Sequence, residues 1–468
     1  MDRGQTVNCE GAVPRLAWGH RYKRLRIMFR NRSKSASGPR CWNSSSRYYL
    51  ASVLLASLLL EGKAFGQTPQ PTARIDLDQA IQLSLEHNHA LKAARTQIEQ
   101  SEAQEITAAI RPNPVFTYDD LFIPLFSPGQ LNSSTLDNVT EFDAGFSWIF
   151  ERGGKRRARQ RAARDQTAVT RSLVSDNERT LAFNVAQQFV AVLQAESTLR
   201  FARQDLESFQ KTVNISEDRL KAGDMSKADY LKIKLQLLQF QTDVSSAQVA
   251  VVQALASLRA LLGYDAVPAD YDVAGELAYT PLHLSKEDLQ AMALGLRPDL
   301  RAAQQGVIAA ESQHDLAVAN GKRPLTTTWT YSHVSTVNSL GFTASIEIPL
   351  FDRNQGEIAR THYAATQAQE NRTVAQETVM TDVANAYEAF RTAYEVVQLY
   401  ESGYLKNSQD SRDISEFAYR HGAASLLDFL DAERSYRSTQ LAYRQALGAY
   451  MLAVEQLKET AGTRKLGP

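Results

Sequence analysis

The stretch Arg219–Leu231, RLKAGDMSKADYL, recurs as AYRHGAASLLDFL at Ala418–Leu430, displaced by 199 residues (219 to 418). Gly223 falls on Gly422, Ser226 on Ser425, Asp229 on Asp428, Tyr230 on Phe429 and Leu231 on Leu430. Glycine suits the left-handed residue that ends a helix, and a serine three positions on can N-cap the next one. Asp229 and Asp428 follow their serines by three, the spacing of a capping box with Asp in place of Glu. Each copy reads as a helical hairpin tip, and a duplicated tip implies a duplicated chain.

Proline placement sets the helices around those tips, because a proline inside a helix costs ~3 kcal/mol. None occurs from Gly129 to Val267 or from Leu350 to Gly467. The spacing predicts helices over about 153 to 222 and 226 to 262, then 353 to 421 and 425 to 463, each tract broken once, at its tip. Seventy helical residues extend about 105 Å, far beyond a compact domain. Shorter helices over about 73 to 111 and 286 to 322 are roughly half as long. Stacked end to end with the helices after the tips, they match the long ones.

Apolar residues recur every seven positions at Leu237, Val244, Val251 and Leu258, with Phe240, Ala247, Ala254 and Leu261 offset by three. This is coiled-coil packing. Tyr443, Ala446, Tyr450, Ala453 and Leu457 repeat it more weakly in the last tract.

Between helices the period changes to two. In VTEFDAGFSWIF (Val139–Phe150), Phe142, Ala144, Phe146, Trp148 and Phe150 alternate with polar or small residues, and GFTASIEI does the same with Phe342, Ala344, Ile346 and Ile348. VFTYDD and TTTWTYSHV alternate more briefly, giving two strands per half. A soluble sheet with one face on a core would alternate so, and so would a barrel with aromatic residues toward lipid and a wet interior. Four strands cannot close such a barrel, so the second reading requires several chains.

NHALKAARTQIEQSEAQE (Asn88–Glu105) aligns with RPDLRAAQQGVIAAESQH (Arg297–His314), and IFERGGK (Ile149–Lys155) with LFDRNQG (Leu350–Gly356). The domain reading is a leader over 1–66, a first repeat over 67–262, a linker over 263–285, a second repeat over 286–463 and a tail over 464–468.

Residues 1–66 hold 12 Lys/Arg against 3 Asp/Glu, which leaves 40 against 49 of the 52 of each sign for the rest, an acidic balance. The apolar run Tyr48–Leu60 follows the basic segment, with small residues at Ala64 and Gly66. That is the layout of a secretory signal cleaved after Gly66, with an extended basic n-region for which Met28 is an alternative start. Thirteen apolar residues are too few to span a ~30 Å hydrocarbon core, and no other spanning helix is expected. Cys9 and Cys41 both precede the cleavage site, so a mature chain has no disulfide, thiolate metal site or cysteine nucleophile. Gln67, not Cys, follows the signal, which argues against lipid anchoring.

The order helix, two strands, long helix, tip, helix, written twice, resembles the outer-membrane efflux protein family typified by TolC, over residues 73 to 463. ERGGKRRARQRAA (Glu151–Ala163), RPDLRAA and IPLFDRNQGEIA (Ile348–Ala359) resemble its CzcC-type branch, associated with cobalt, zinc and cadmium efflux. The resemblance implies a mainly α fold with a small β part: a long coiled-coil α-helical barrel crossing the periplasm, with four strands from each chain of a homotrimer making a 12-stranded transmembrane β-barrel. It implies a passive outer-membrane channel whose tips meet a periplasmic adaptor and, through it, an inner-membrane pump, a proton-driven heavy-metal exporter in this branch. The family closes near the tip with a Tyr, an Arg and two Asp. Tyr419, Asp428 and Asp431 match the Tyr and both Asp, while Ala424 stands at the Arg position.

Three chains would set Asp428 and Asp431 in carboxylate rings, which favour cations. Asp428 could instead simply cap its helix, as Asp229 does. The expected gate is Tyr419, Asp428 and Asp431, and the expected adaptor-docking surface is Lys221, Gly223, Ser226, Gly422 and Ser425. Divalent metal cations are the expected cargo, with drugs, organic solutes or secreted proteins as alternatives. A periplasmic coiled-coil adaptor without a pore is the alternative of another class.

No enzyme, cofactor or resident metal is expected. His87 and His89 are two apart and point to different helix faces. His283, His314, His333, His362 and His421 are scattered along the chain and read as surface histidines. ERGGK lacks phosphate-loop spacing, so Gly153 and Gly154 read as a strand-to-helix turn. GKRRARQRAARD (Gly154–Asp165) is basic enough to raise nucleic-acid binding, but at a strand–helix junction of an acidic chain it suits lipid head groups or a neighbouring helix better.

Overall fold

A computed structural model describes residues 73–123, 126–130 and 132–466. The leader with Met28, Cys9, Cys41 and the cleavage site after Gly66 lies outside the described residues.

The first repeat runs β1 (Arg74–Ile75), α1 (Leu77–His87), α2 (His89–Ala109), β2 (Val115–Leu121), α3 (Ser133–Asn138), β3 (Glu141–Phe150), α4 (Lys155–Ala222) and α5 (Lys227–Leu262). Strand β4 (Asp272–Val273) follows and pairs in parallel with β1, so the stretch expected as linker is hydrogen-bonded into the first repeat. The second repeat runs α6 (Lys286–Leu296), α7 (Pro298–Asn320), β5 (Leu325–Val334), β6 (Val337–Ile346), α8 (Gln355–Leu399), α9 (Leu405–Arg420) and α10 (Leu426–Thr460). The 68 residues of α4 span about 100 Å.

Three expectations about helix continuity are corrected. The helix expected over 73 to 111 breaks at Asn88, whose backbone is extended. Its side-chain oxygen accepts the Leu91 N–H at 3.0 Å, while its amide donates to the Leu261 carbonyl at 3.0 Å, so one residue ends α1, caps α2 and ties both to α5. The helix expected over 286 to 322 breaks one residue before Pro298, which sits at the start of α7 and leaves Arg297 extended. The last tract is broken twice, not once: between α8 and α9 a π turn covers Tyr400–Tyr404, with Gly403 at φ 131°. Proline scanning cannot see a kink made by glycine.

Gly153 and Gly154, at φ 69° and 72°, turn β3 into α4. The basic segment that follows serves a neighbouring helix. Arg156 and Arg159 donate to the carbonyls of Ala109 and Ala108 at 2.6 and 2.9 Å, satisfying the C-terminal end of α2. Arg159 also pairs with Glu151 at 2.7 Å.

Helix α4 packs against α1, α2, α5, α7 and α10. One apolar cluster per repeat fills the middle of the helical body. In the first, Val185, Phe189 and Val192 of α4 meet Ile81, Leu258 and Leu262; in the second, Val379, Val383 and Phe390 of α8 meet Leu289, Tyr450 and Leu457. The heptad positions of α5 behave as expected, with Phe240, Ala247 and Leu258 buried. Among the described residues α5 is the one helix long and apolar enough, by length and composition, to cross a membrane. It carries a second apolar stripe, Leu231, Leu235, Leu238, Val249 and Val252, which is exposed.

The four strands form one antiparallel sheet in the order β2-β3-β5-β6. The β5–β6 connection is two residues, Ser335 and Thr336, both at positive φ, the geometry of a tight primed turn.

Candidate functional site

Both tips end their long helices alike. At Gly223 (φ 83°) the Asp224 N–H reaches back to the Arg219 carbonyl at 2.9 Å and the Gly223 N–H to Leu220 at 3.2 Å. At Gly422 (φ 75°) the Ala423 N–H reaches Ala418 at 2.8 Å and the Gly422 N–H reaches Tyr419 at 3.1 Å. This Schellman pattern requires a left-handed residue, which glycine supplies without strain. Ser226 and Ser425 then cap α5 and α10, accepting from the Asp229 and Asp428 N–H groups at 3.1 and 3.2 Å. Only the second cap is reciprocal, because Asp428 also accepts the Ser425 N–H at 3.1 Å.

The tips lie side by side. Phe209 of α4 stacks on Phe240 of α5 with ring centroids 4.3 Å apart, and Tyr419 of α9 stacks on Phe429 of α10 at 5.4 Å. With Val213 and Ile233 these rings form a single buried cluster joining the two hairpins. Arg219, which the sequence reading did not single out, donates to the Tyr419 carbonyl at 3.0 Å. Its guanidinium lies 5.4 Å from the Tyr419 ring centroid.

The expected gate residues separate by environment. Tyr419 is 7% exposed, inside the inter-hairpin cluster, with Met225 against its hydroxyl. Asp428 is engaged in its capping box, and the Ser425 hydroxyl and N–H hold its carboxyl below the usual carboxylate range. Asp431 keeps 72% of its side chain exposed, with only a 3.6 Å contact to Arg434. Lys221, Gly223, Ser226, Gly422 and Ser425 are all exposed. Lys221 is flanked by Glu217 at 3.0 Å and Asp218 at 3.6 Å.

Above the tip cluster sits a buried charged network that sequence periodicity does not reveal. Arg437 of α10 donates to Asp205 of α4 at 2.7 Å and to Asp243 of α5, while Glu433, one turn before it, is buried beside Asp205. Burial and the adjacent Asp205 push the Glu433 carboxyl up to about 8; Arg412 and Arg437 oppose that rise. Burial also raises Asp205, against the pull of Arg437.

At the other end, register assigns the faces of the sheet. Phe116 pairs with Phe146, Phe146 with Trp329, and Trp329 with Phe342; Tyr118 pairs with Ala144, Ala144 with Tyr331, and Tyr331 with Leu340. The opposite face carries Thr117, Gly145 and Thr330 in one row and Asp119, Asp143 and Ser332 in another. An aromatic face and a Thr/Ser/Gly/Asp face on one sheet match lipid outside and water inside, and not a soluble core. Edges β2 and β6 have no partner strand within the described chain.

Two of the histidines scattered along the sequence meet in the fold while staying at the surface, His314 half-buried and His362 exposed. His314 of α7 and His362 of α8, far apart in sequence, have ring centroids 5.9 Å apart.

Residues 80–264 and 289–463 match the family model described as outer membrane efflux protein. The chain is 22% identical over 396 residues to the cobalt-zinc-cadmium resistance protein CzcC of Cupriavidus metallidurans, covering 83% of this chain and 90% of the relative. It is 24% identical over 412 residues to the pyoverdine export outer membrane protein OpmQ of Pseudomonas putida, covering 83% and 86%. Among solved structures, the transmembrane channel CusC superposes with a TM-score of 0.68 at 20% identity, over 85% of this chain and 96% of that one.

Proposed function

The chain belongs to the outer membrane efflux protein family, and from that premise we propose that three copies form an export duct for divalent metal cations. The outer-membrane channel role follows from the family and the two-faced sheet. The reading of a pore-free periplasmic adaptor falls with them.

The trimer is supported by the sheet. Four strands with an aromatic face and two free edges cannot satisfy their backbone groups in lipid, whereas three copies joined β2 to β6 give twelve closed strands. The exposed stripe on α5 offers each copy a coiled-coil partner surface in the helical body. Metal cargo is supported by the similarity to CzcC, whose name states cobalt, zinc and cadmium resistance, and by the exposed Asp431 carboxylate at the tip. Repeated three times, it makes a ring that attracts cations.

In this proposal the periplasmic gate centres on Asp431. Tyr419 locks the two hairpins together and Asp428 holds the start of α10. The docking surface for a periplasmic adaptor is the tip row Lys221, Gly223, Ser226, Gly422 and Ser425, and through that adaptor an inner-membrane pump, a proton-driven heavy-metal exporter, drives transport.

Deleting the gene and plating on metal salts tests the cargo. Loss of tolerance to cobalt, zinc or cadmium is expected. Unchanged metal tolerance with lost export of organic compounds would favour the second reading, organic-solute efflux, to which the similarity to OpmQ gives support.

A further inference from the structure

The His314–His362 pair lies outside the tip and the sheet. His314 is six residues before the end of α7 and His362 seven residues after the start of α8, so the pair sits about 10 Å from the strand-side end of the helical body.

The surroundings of His314 favour one ring tautomer. Its Nδ1 is 3.1 Å from the Thr361 hydroxyl oxygen. The Thr361 hydroxyl donates to the Glu357 carbonyl at 2.8 Å, with the Ile358 carbonyl at 3.1 Å. With that hydroxyl donating to a backbone carbonyl, the tautomer that satisfies the contact has Nδ1 donating to the hydroxyl oxygen, which leaves the lone pair of Nε2 free. A hydrogen bond from one ring nitrogen that frees the other is the outer-shell arrangement found behind metal-binding histidines.

His362 supplies the second ring. It is exposed, contacts the rings of His314 and Tyr363, and among the described residues its imidazole makes no protein hydrogen bond. Two imidazole nitrogens sharing a tetrahedral ion at about 2.0–2.1 Å would set their ring centroids about 5 Å apart. The observed 5.9 Å closes to that by a small rotation of the freer His362 ring. The nearest carboxylate in sequence, Asp315, is already paired with Arg161 at 3.3 Å. Among the described residues no group of three or more His, Cys, Asp or Glu gathers, so water would complete the shell.

We propose that His314 and His362 form a two-imidazole binding site for a borderline divalent cation of the copper and zinc class, one per chain. Nitrogen donors select such ions over magnesium and calcium, which prefer oxygen ligands. The site stands whichever cargo the channel carries in the cell, so its failure and the failure of metal export are separate outcomes.

The test is Cu²⁺ and Zn²⁺ binding to tag-free, detergent-purified full-length protein, by equilibrium dialysis and, for Cu²⁺, electron paramagnetic resonance. One bound ion per chain with coupling to two imidazole nitrogens is expected. H314A and H362A should each weaken binding about tenfold or more, and T361V, which leaves both rings in place, should also weaken it by about tenfold. H87A serves as the control and should change nothing. Helix content by circular dichroism accompanies each variant, and the exposed His362 supplies one that leaves the fold intact. Equal binding by wild type and H362A, or a copper spectrum without paired imidazole nitrogens, would overturn the proposal.

Discussion

Arg437 of α10 donates to Asp205 of α4 at 2.7 Å, with its guanidinium carbon 4.1 Å from the centroid of the Phe240 ring. The same guanidinium reaches Asp243 of α5, so one cation of the second hairpin binds both helices of the first. Asp205 is 4% exposed. Removing Arg437 would strand a buried carboxylate, a loss on the order of 3–5 kcal/mol. We expect R437M to lower protection of the tip amides in hydrogen exchange, while the exposed Lys211–Glu207 pair can be broken with little effect. Tip protection in R437M equal to wild type would show that the network does not hold the hairpins.

Glu433 adds a pH dependence to that junction. Its folded value of about 8 lies above its ordinary 4.5, because burial and the neighbouring Asp205 disfavour the charged form. Between those values the folded state holds a proton that the unfolded state releases. Stability is therefore full below about 4.5 and falls as pH rises through about 8, by a few kcal/mol at most. Asp205, raised by burial, acts in the same direction, with Arg437 and Arg412 opposing. Thermal unfolding followed from pH 5 to 8.5 should show this decline, and E433Q should flatten it. A slope of the same size in E433Q would assign the effect to other groups.

The exposed stripe on α5 makes a prediction about assembly. Leu235 and Leu238 are 71% and 57% exposed; with Leu231 they are spaced by four and three, and after a gap of eleven residues Val249 and Val252, three apart, extend the exposed apolar surface of α5. L238D should leave the helix content of the chain unchanged and shift detergent-solubilised protein from trimer toward monomer. Native mass spectrometry reads the difference, and an undisturbed trimer would place the contact between copies elsewhere.

What the sequence discloses divides along the range of the interactions. The duplicated tips, the proline-free tracts, the heptads and the alternating strands are local patterns, and each produced its element. Asn88 breaks a helix without proline because it can cap α2 and bond to Leu261 at once, and the second bond becomes visible only after folding. The π turn at Tyr400–Tyr404 rests on a single glycine backbone. Arg219 against Tyr419, Arg437 against Asp205 and His314 against His362 are contacts between elements remote in sequence. No spacing rule along one chain finds such pairs, and at the tip they decide which expected gate residue has a free charge.

That division gives the last prediction, which separates gate from cap. Asp428 accepts the Ser425 N–H at 3.1 Å and its hydroxyl hydrogen at 2.7 Å, so it serves the start of α10. Asp431, three residues on, has no such duty and projects from the same helix face. D428A should lower the protection of the first turn of α10, through loss of the cap, with a smaller effect on ion selectivity. D431N should leave that protection unchanged and, if three Asp431 side chains converge on the pore, reduce cation selectivity and raise single-channel conductance in planar bilayers. Opposite behaviour, with D428A altering selectivity and D431N leaving it untouched, would move the gate one turn toward the tip and assign Asp431 to the solvated surface.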